Sequence, residues 1–250
     1  MPDVLSEELE PGIVLLTLNR PERRNALGPA LLDALHRAFD GIAADPAARV
    51  VIVTGAGDGF CSGADMKGGV DIGDDPSTAT GGLLRQVQGE VARTLAAQEL
   101  MASLFERVHR LRQPVIAAVN GAAVGGGFAF ALACDIRYAS PAARFGAVFI
   151  TRGVSACDMG TSYLLPRLVG ASRAAELMLT GRVFGAAEAK EMGLVLEVVD
   201  DGAAHRRQPA PGRVDDQGDD VADDRFAEFP SCARHGEPHA GDVHGDRRAQ

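Results

Sequence analysis

The chain changes vocabulary near residue 200, and that change limits where a fold can form. From Asp201 to Gln250 there is no Leu, Ile, Met, Lys, Thr, Tyr or Asn, whereas nine Asp, seven Arg and four of the six His of the chain fall there. Ordering one residue costs about 1 to 2 kcal/mol of backbone entropy, and a segment without large aliphatic side chains has little burial to offset it. Residues 201–250 are therefore expected to form a low-complexity, disordered tail. It is either an acidic tail or GC-rich coding DNA read out of frame; its mixture fits none of the functional low-complexity classes, which favours the second. The core must come from residues 1–200, long enough for one α/β domain.

Charge and cysteine usage remove several function classes. The formal net charge of -9 repels phosphate backbones, so nucleic acid is not an expected partner. Cys61, Cys134, Cys157 and Cys232 form no CxxC pair and no Cys/His cluster, so neither a zinc site nor a disulfide framework is expected. The first three read as small buried residues. The acidic N-terminus MPDVLSEELEPG lacks the basic and apolar regions of a secretory signal, and no apolar run is long enough to span a bilayer. The expected location is the cytoplasm, away from membranes.

Within residues 1–200, short apolar runs alternate with helical spacing. Val4–Leu9 and Ile13–Asn19 read as a hairpin turning at Pro11-Gly12. Leu31, Leu32, Leu35, Phe39 and Ile42 repeat at helical spacing over 29–44, with Pro29 in the first turn. Arg49–Gly55 is a buried strand, residues 70–82 read as a loop, and Leu83–Leu111 reads as a single long helix stopped by Pro114. Val115–Asn120, a helix over 125–134 and the strand Asp135–Ala139 follow. Helices over 172–180 and 186–192 and the strand Leu194–Val199 close an α/β domain.

Two glycine-rich turns each follow a buried strand: VIVTGAGDGFCSGADMK and VIAAVNGAAVGGGFAFALACD. Neither carries GxGxxG or GxxxxGK[ST], so dinucleotide and ATP binding are not favoured. Gly125, Gly126 and Gly127 open a helix, where each costs up to about 1 kcal/mol relative to Ala inside the helix. Such a string points to something approaching the backbone closely.

Six ordered strings resemble one family: NRPERRNAL (19–27), GFCSGADMK (59–67), PVIAAVNGAAVGGG (114–127), CDIRYAS (134–140), LLPRLVG (164–170) and LTGRVFGAAEAKEMGLV (179–195). They are similar to segments of the crotonase superfamily, also called the enoyl-CoA hydratase/isomerase family. The resemblance implies an α/β spiral of ββα repeats and an acyl-CoA thioester whose carbonyl oxygen sits in an oxyanion hole. Matched by position, the two backbone donors belong to Ala64 and Gly126. Coenzyme A enters as part of the substrate, with no separate cofactor and no metal, along Ala64, Asp65, Met66 and Lys67, with Arg23, Arg24 and Lys67 near its phosphates. For those three cations a solvated surface role is the alternative. The family also uses C-terminal helices to cover the site and to assemble trimers or hexamers. In this chain the atypical tail stands in their place, and impaired assembly is expected.

The resemblance breaks at the carboxylates. Hydratases of the family carry one Glu where this chain has Ala129 and a second where it has Phe149. Adding water across a double bond suits two carboxylates, one activating water and the other supplying a proton. One acid remains nearby, Asp158, in a DMGT string resembling that of dienoyl-CoA isomerases. Asp158 has two readings, a helix N-cap for TSYLLPRLVG and a catalytic acid/base. Asp65 reads as accepting loop N–H groups, and His36 and His109, in helical patterns with no acidic or cysteine residue at a useful sequence spacing, read as core or solvent-facing residues. The favoured function is isomerase-type proton transfer by Asp158 with the enolate held at Ala64 and Gly126. The alternatives are a hydratase borrowing Glu90 or Glu99, and an acyl-CoA binder without turnover or an inactive truncated product.

Overall fold

The computed structural model describes residues 1–65, 78–156 and 158–199. The expected tail at 201–250, together with Met66, Lys67 and Cys157, lies outside the described residues. Strand β1 (Val4–Glu10) pairs antiparallel with β2 (Ile13–Leu18) around Pro11-Gly12, where Gly12 takes φ 83°. Helix α1 (Pro29–Ala44) follows, and its predicted stripe of Leu31, Leu32, Leu35, Phe39 and Ile42 is buried. Each fully buried Leu contributes about 1.5 to 3 kcal/mol.

From β3 onward the chain runs in turns of two strands and a helical segment. The first is β3 (Val50–Gly55), β4 (Gly59–Cys61), α2 (Ala79–Gln86) and α3 (Glu90–Arg110). The second is β5 (Val115–Val119), β6 (Ala122–Val124) and α4 (Gly126–Ala133). The third is β7 (Ile136–Ala139), β8 (Arg144–Gly146), the 3-10 turns Val148–Arg152 and Asp158–Gly160, α5 (Thr161–Val169) and α6 (Ala171–Thr180). The described part closes with β9 (Phe184–Gly185), α7 (Ala186–Glu191) and β10 (Glu197–Val198). The first strands of successive turns, β3, β5 and β7, pair in parallel with one another and with β2 and β10, and antiparallel β1 completes the six-stranded sheet β1-β2-β3-β5-β7-β10; the second strands, with β9 antiparallel to β8, build the four-stranded sheet β4-β6-β8-β9. This is the expected spiral of ββα repeats.

Side-chain alternation divides the larger sheet between two apolar clusters. Leu16, Leu18, Val51, Val53, Ala117 and Val119 face the main core with the helices. Ile13, Leu15, Ile52, Ile116, Ala118 and Tyr138 form a smaller cluster on the other face. The register Ile52↔Ile116↔Ile136 stacks three isoleucines across adjacent strands.

Two expectations need correction. The region read as one helix over 83–111 is two, broken at residues 87–89, where Gly89 takes φ 88°. The first of them starts earlier, capped by the Thr78 side chain accepting from Gly81 N–H at 2.9 Å. The last strand is Glu197–Val198 rather than Leu194–Val199, because the Leu194 carbonyl is taken by Arg137 Nε at 2.9 Å. Among the described residues no helix is long and apolar enough to cross a membrane.

Candidate functional site

The site begins with a buried asparagine. Asn25 is fully buried at φ 53°. Its Oδ1 accepts from Arg20 N–H at 2.8 Å, and its Nδ2 donates to the carbonyls of Ala56 and Gly59 at 3.0 and 2.8 Å. These bonds tie the NRPERRNAL loop to the turn between β3 and β4. Two residues on, Leu27 N–H donates to Gly63 O at 2.8 Å and Leu27 O accepts from Asp65 N–H at 3.1 Å, a single parallel bridge across Ala64. The bridge uses the groups on either side of Ala64, and the Ala64 N–H has no hydrogen-bond partner among the described residues.

Backbone contact then brings this loop to α4. Gly63 takes φ 86°, and a Cβ built on it would lie 2.8 Å from Val124 O and 3.0 Å from Gly126 N. At Gly127 an added Cβ would stand 2.0 Å from Cys61 O, a clash between backbone and side chain that only glycine avoids. The close approach foretold by the glycine string is thus made, at Gly127, by the chain itself. Gly126 is the first residue of α4, after Gly125 at φ 55°, and its N–H also has no partner among the described residues. A helix start leaves such donors open and carries the positive end of the dipole. Ala64 and Gly126 therefore place two N–H groups, each without a partner among the described residues, on abutting segments.

The third element is the turn at Asp158. A Cβ on Gly126 would lie 3.2 Å from Met159 Sδ and 3.2 Å from Leu27 Cδ1, so the Asp158 turn borders the α4 terminus. Met159 holds φ 50°, an uncommon conformation for a side chain of this size. Asp158 is half-buried. Burial pushes its carboxyl above the ordinary value, opposed by hydrogen bonds from Met159 N–H and Gln98. The Gln98 amide, projecting from α3, donates to Asp158 Oδ1. The cap reading of Asp158 is corrected: Gly160, in the left-handed region, is the N-cap of α5, and no side-chain cap bond is made there.

Other expected residues fall as follows. Ala129 is buried inside α4, and Phe149 is buried in the turn after β8. Glu90 and Glu99 are exposed on α3, and it is the intervening Gln98 that reaches Asp158. Arg23 and Arg24 are exposed, and Arg23 Nη1 lies 3.9 Å from Asp65 Oδ1. Met66 and Lys67 lie outside the described residues. His36 Nε2 is 3.3 Å from Ser103 Oγ, and burial lowers its proton affinity. Cys61 and Cys134 are buried and free, with thiols pushed up to about 12 by burial. Among the described residues no group of three His, Cys, Asp or Glu side chains could hold a metal ion.

Asn25 and Gln98 are the site residues that pattern reasoning passes over. Asn25 leaves a trace, a polar residue between a charged loop and an apolar helix; Gln98 leaves none. A cavity of about 340 Å³ between α1 and the C-terminal half of α3, lined by Phe39, Ser103, Arg107 and Gln113 among others, shares no residue with this cluster.

Comparison with known proteins agrees with the architecture. The sequence profile described as enoyl-CoA hydratase/isomerase matches residues 8–208. The chain is 48% identical over 193 residues to the probable enoyl-CoA hydratase of Mycobacterium leprae, an alignment covering 76% of this chain and 62% of that protein. It is 35% identical over 201 residues to the 1,2-epoxyphenylacetyl-CoA isomerase of Escherichia coli, covering 80% of this chain and 71% of that one. The crystal structure of a probable enoyl-CoA hydratase/isomerase from Mycobacterium abscessus superposes with a TM-score of 0.72 at 40% identity, over 82% of this chain and 72% of that chain. A monofunctional enoyl-CoA isomerase from M. smegmatis gives a TM-score of 0.65 at 40% identity, over 82% and 81%. The chain thus spans less than two thirds of the length of the mycobacterial hydratases it matches, 62% of one and 66% of another. With the spiral of paired strands, the abutting loop and helix at Ala64 and Gly126, and these matches, the chain belongs to the enoyl-CoA hydratase/isomerase family of the crotonase superfamily.

Proposed function

We propose that this chain acts on an acyl-CoA thioester by moving a proton between two carbons of the acyl group. The thioester oxygen accepts from Ala64 N–H and Gly126 N–H. Ionised Asp158 removes a proton from carbon; the C–H electron pair moves into the carbonyl, leaving an enolate on the two donors. Asp158 then returns the proton at another carbon, and the double bond has shifted. Preorganised N–H groups stabilise charge that develops on the oxygen, and one carboxyl can both take and give the proton.

The observation that carries this reading is the neighbourhood of Gly126: two N–H groups with no partner among the described residues, bordered by the turn that carries one half-buried carboxyl. Ala129 and Phe149 stand at the positions matched to the two Glu of the family's hydratases, which weighs against activation of water. Coenzyme A belongs to the substrate, and residues 1–200 are its binding core, with Arg23, Arg24, Asp65, Met66 and Lys67 along its path. Assembly into trimers or hexamers, impaired by residues 201–250, belongs to the same proposal.

Hydration is the second reading, favoured by relatives named as enoyl-CoA hydratases. Incubating the full chain with 2-enoyl- and 3-enoyl-CoA and weighing the products separates the readings. Isomers of unchanged mass are expected. A product heavier by one water supports hydration, and recovery of unaltered substrate supports binding without turnover.

A further inference from the structure

Asp158 is reached from a second element by one side chain, and that contact has chemical content. The turn carrying Asp158 packs against α3, α4 and α5. Helix α4 has no titratable residue. On α5, the guanidinium of Arg167 lies 3.5 Å from the centroid of the Tyr163 ring and its Nη1 donates to Tyr163 O at 2.9 Å. On α3, Glu90, Arg93 and Glu99 are exposed, and the charges of its last turns cluster around Asp40 and Glu106. None of these groups contributes to the shifted proton affinity of Asp158, which is set by burial, Met159 N–H and Gln98. The amide of Gln98 is therefore the one described side chain through which another element acts on this carboxyl.

We infer that Gln98 is the positioning residue of the acid/base group: its Nε2–H, donated to Asp158 Oδ1, fixes the orientation of the half-buried carboxyl and keeps it ionisable. The inference rests on the proton-transfer reading of Asp158. A donor to the charged form lowers proton affinity, while burial raises it. Without Gln98 the carboxyl would hold its proton to higher pH and turn more freely about its own side chain. Amide rather than carboxylate chemistry matters here, because a second carboxylate in contact would share the proton instead of stabilising its loss.

The test compares wild type, Gln98→Met and Gln98→Glu in the full chain. The carboxyl titration of Asp158 is read by carbon-13 NMR, assigned with Asp158→Asn, and the pH dependence of kcat/KM is measured alongside. Gln98→Met keeps the length of the side chain without the donor and is expected to shift the titration upward by about one pH unit, a tenfold rise in proton affinity. Gln98→Glu keeps the shape and adds a like charge, and is expected to shift it further. A structural role alone predicts changes in melting temperature with no ordered shift, and an unmoved Asp158 titration in both variants overturns the inference. If the titration moves while the acid limb of kcat/KM stays in place, the proton-transfer reading of Asp158 fails and the effect of Gln98 on the carboxyl stands.

Discussion

Gly126 and Asp158 border one another, yet the chain holds them by different means. Around Gly126 the constraint is backbone on backbone: Gly63 presses against Val124 O and Gly126 N, and Gly127 leaves no room beside Cys61 O. Around Asp158 the constraint is side chain on side chain, with Gln98 reaching across from α3 and Met159 held at positive φ. A backbone donor placed by packing survives changes of side chain. A carboxyl placed by one amide can be retuned by one substitution.

Gly127→Ala should break the first arrangement outright. Its Cβ would fall 2.0 Å from a main-chain oxygen, so the cost exceeds the about 1 to 3 kcal/mol of ordinary overpacking. Little soluble folded protein is expected, and a melting curve matching wild type would contradict the account. Gly126→Pro deletes the open N–H where proline is tolerated as a first helical residue. With the fold retained by circular dichroism, turnover should fall about 100- to 1,000-fold, the cost of one oxyanion donor. A fall of less than tenfold would show that this donor is not used.

Asn25→Ala is expected to be milder. It strips three hydrogen bonds from a buried loop and leaves their partners unpaired, at about 1 to 3 kcal/mol for each group kept from water. Chemical denaturation should register the loss, and turnover should fall with it as the bridge at Ala64 loosens. The smallest effect tests the second arrangement. Because burial raises the Asp158 carboxyl above its ordinary value of 3.8, the folded state binds this proton more tightly than the unfolded state. Stability from this group is therefore lost as pH rises through that window. Asp158→Asn should accordingly melt higher than wild type at pH 7, with the difference vanishing below about pH 3, under the unfolded carboxylate value. A lower melting temperature at pH 7 would mean that the carboxylate is favourably held.

How much the sequence discloses follows the same division. Helix α1 is legible because its five apolar residues share one face, and Val50–Gly55 and Val115–Val119 because apolar runs that short suit buried strands. The second sheet is not legible: Gly59–Cys61, Ala122–Val124, Arg144–Gly146 and Phe184–Gly185 are two or three residues long, too short for any period to register. The break at 87–89 hides because Gly89 is a lone glycine in a helical pattern. Ala64 and Gly126 are singled out by their motifs, and the structure brings their two segments into contact; Ala129 and Phe149 are buried. The cap reading of Asp158 misleads because Gly160 supplies the turn into α5 from its backbone alone. Gln98 escapes because its partner is 60 residues away, and no local pattern encodes such a contact.

In the proposed reaction one carboxyl exchanges a carbon-bound proton while two backbone donors hold the enolate. Deuterium uptake from heavy water into enoyl-CoA, followed by mass spectrometry, reads that step even where the double bond does not move. Wild type is expected to introduce deuterium on carbon, and Asp158→Asn to slow the uptake by about 100- to 10,000-fold, the usual worth of a general base. Equal uptake by the two proteins would contradict the account.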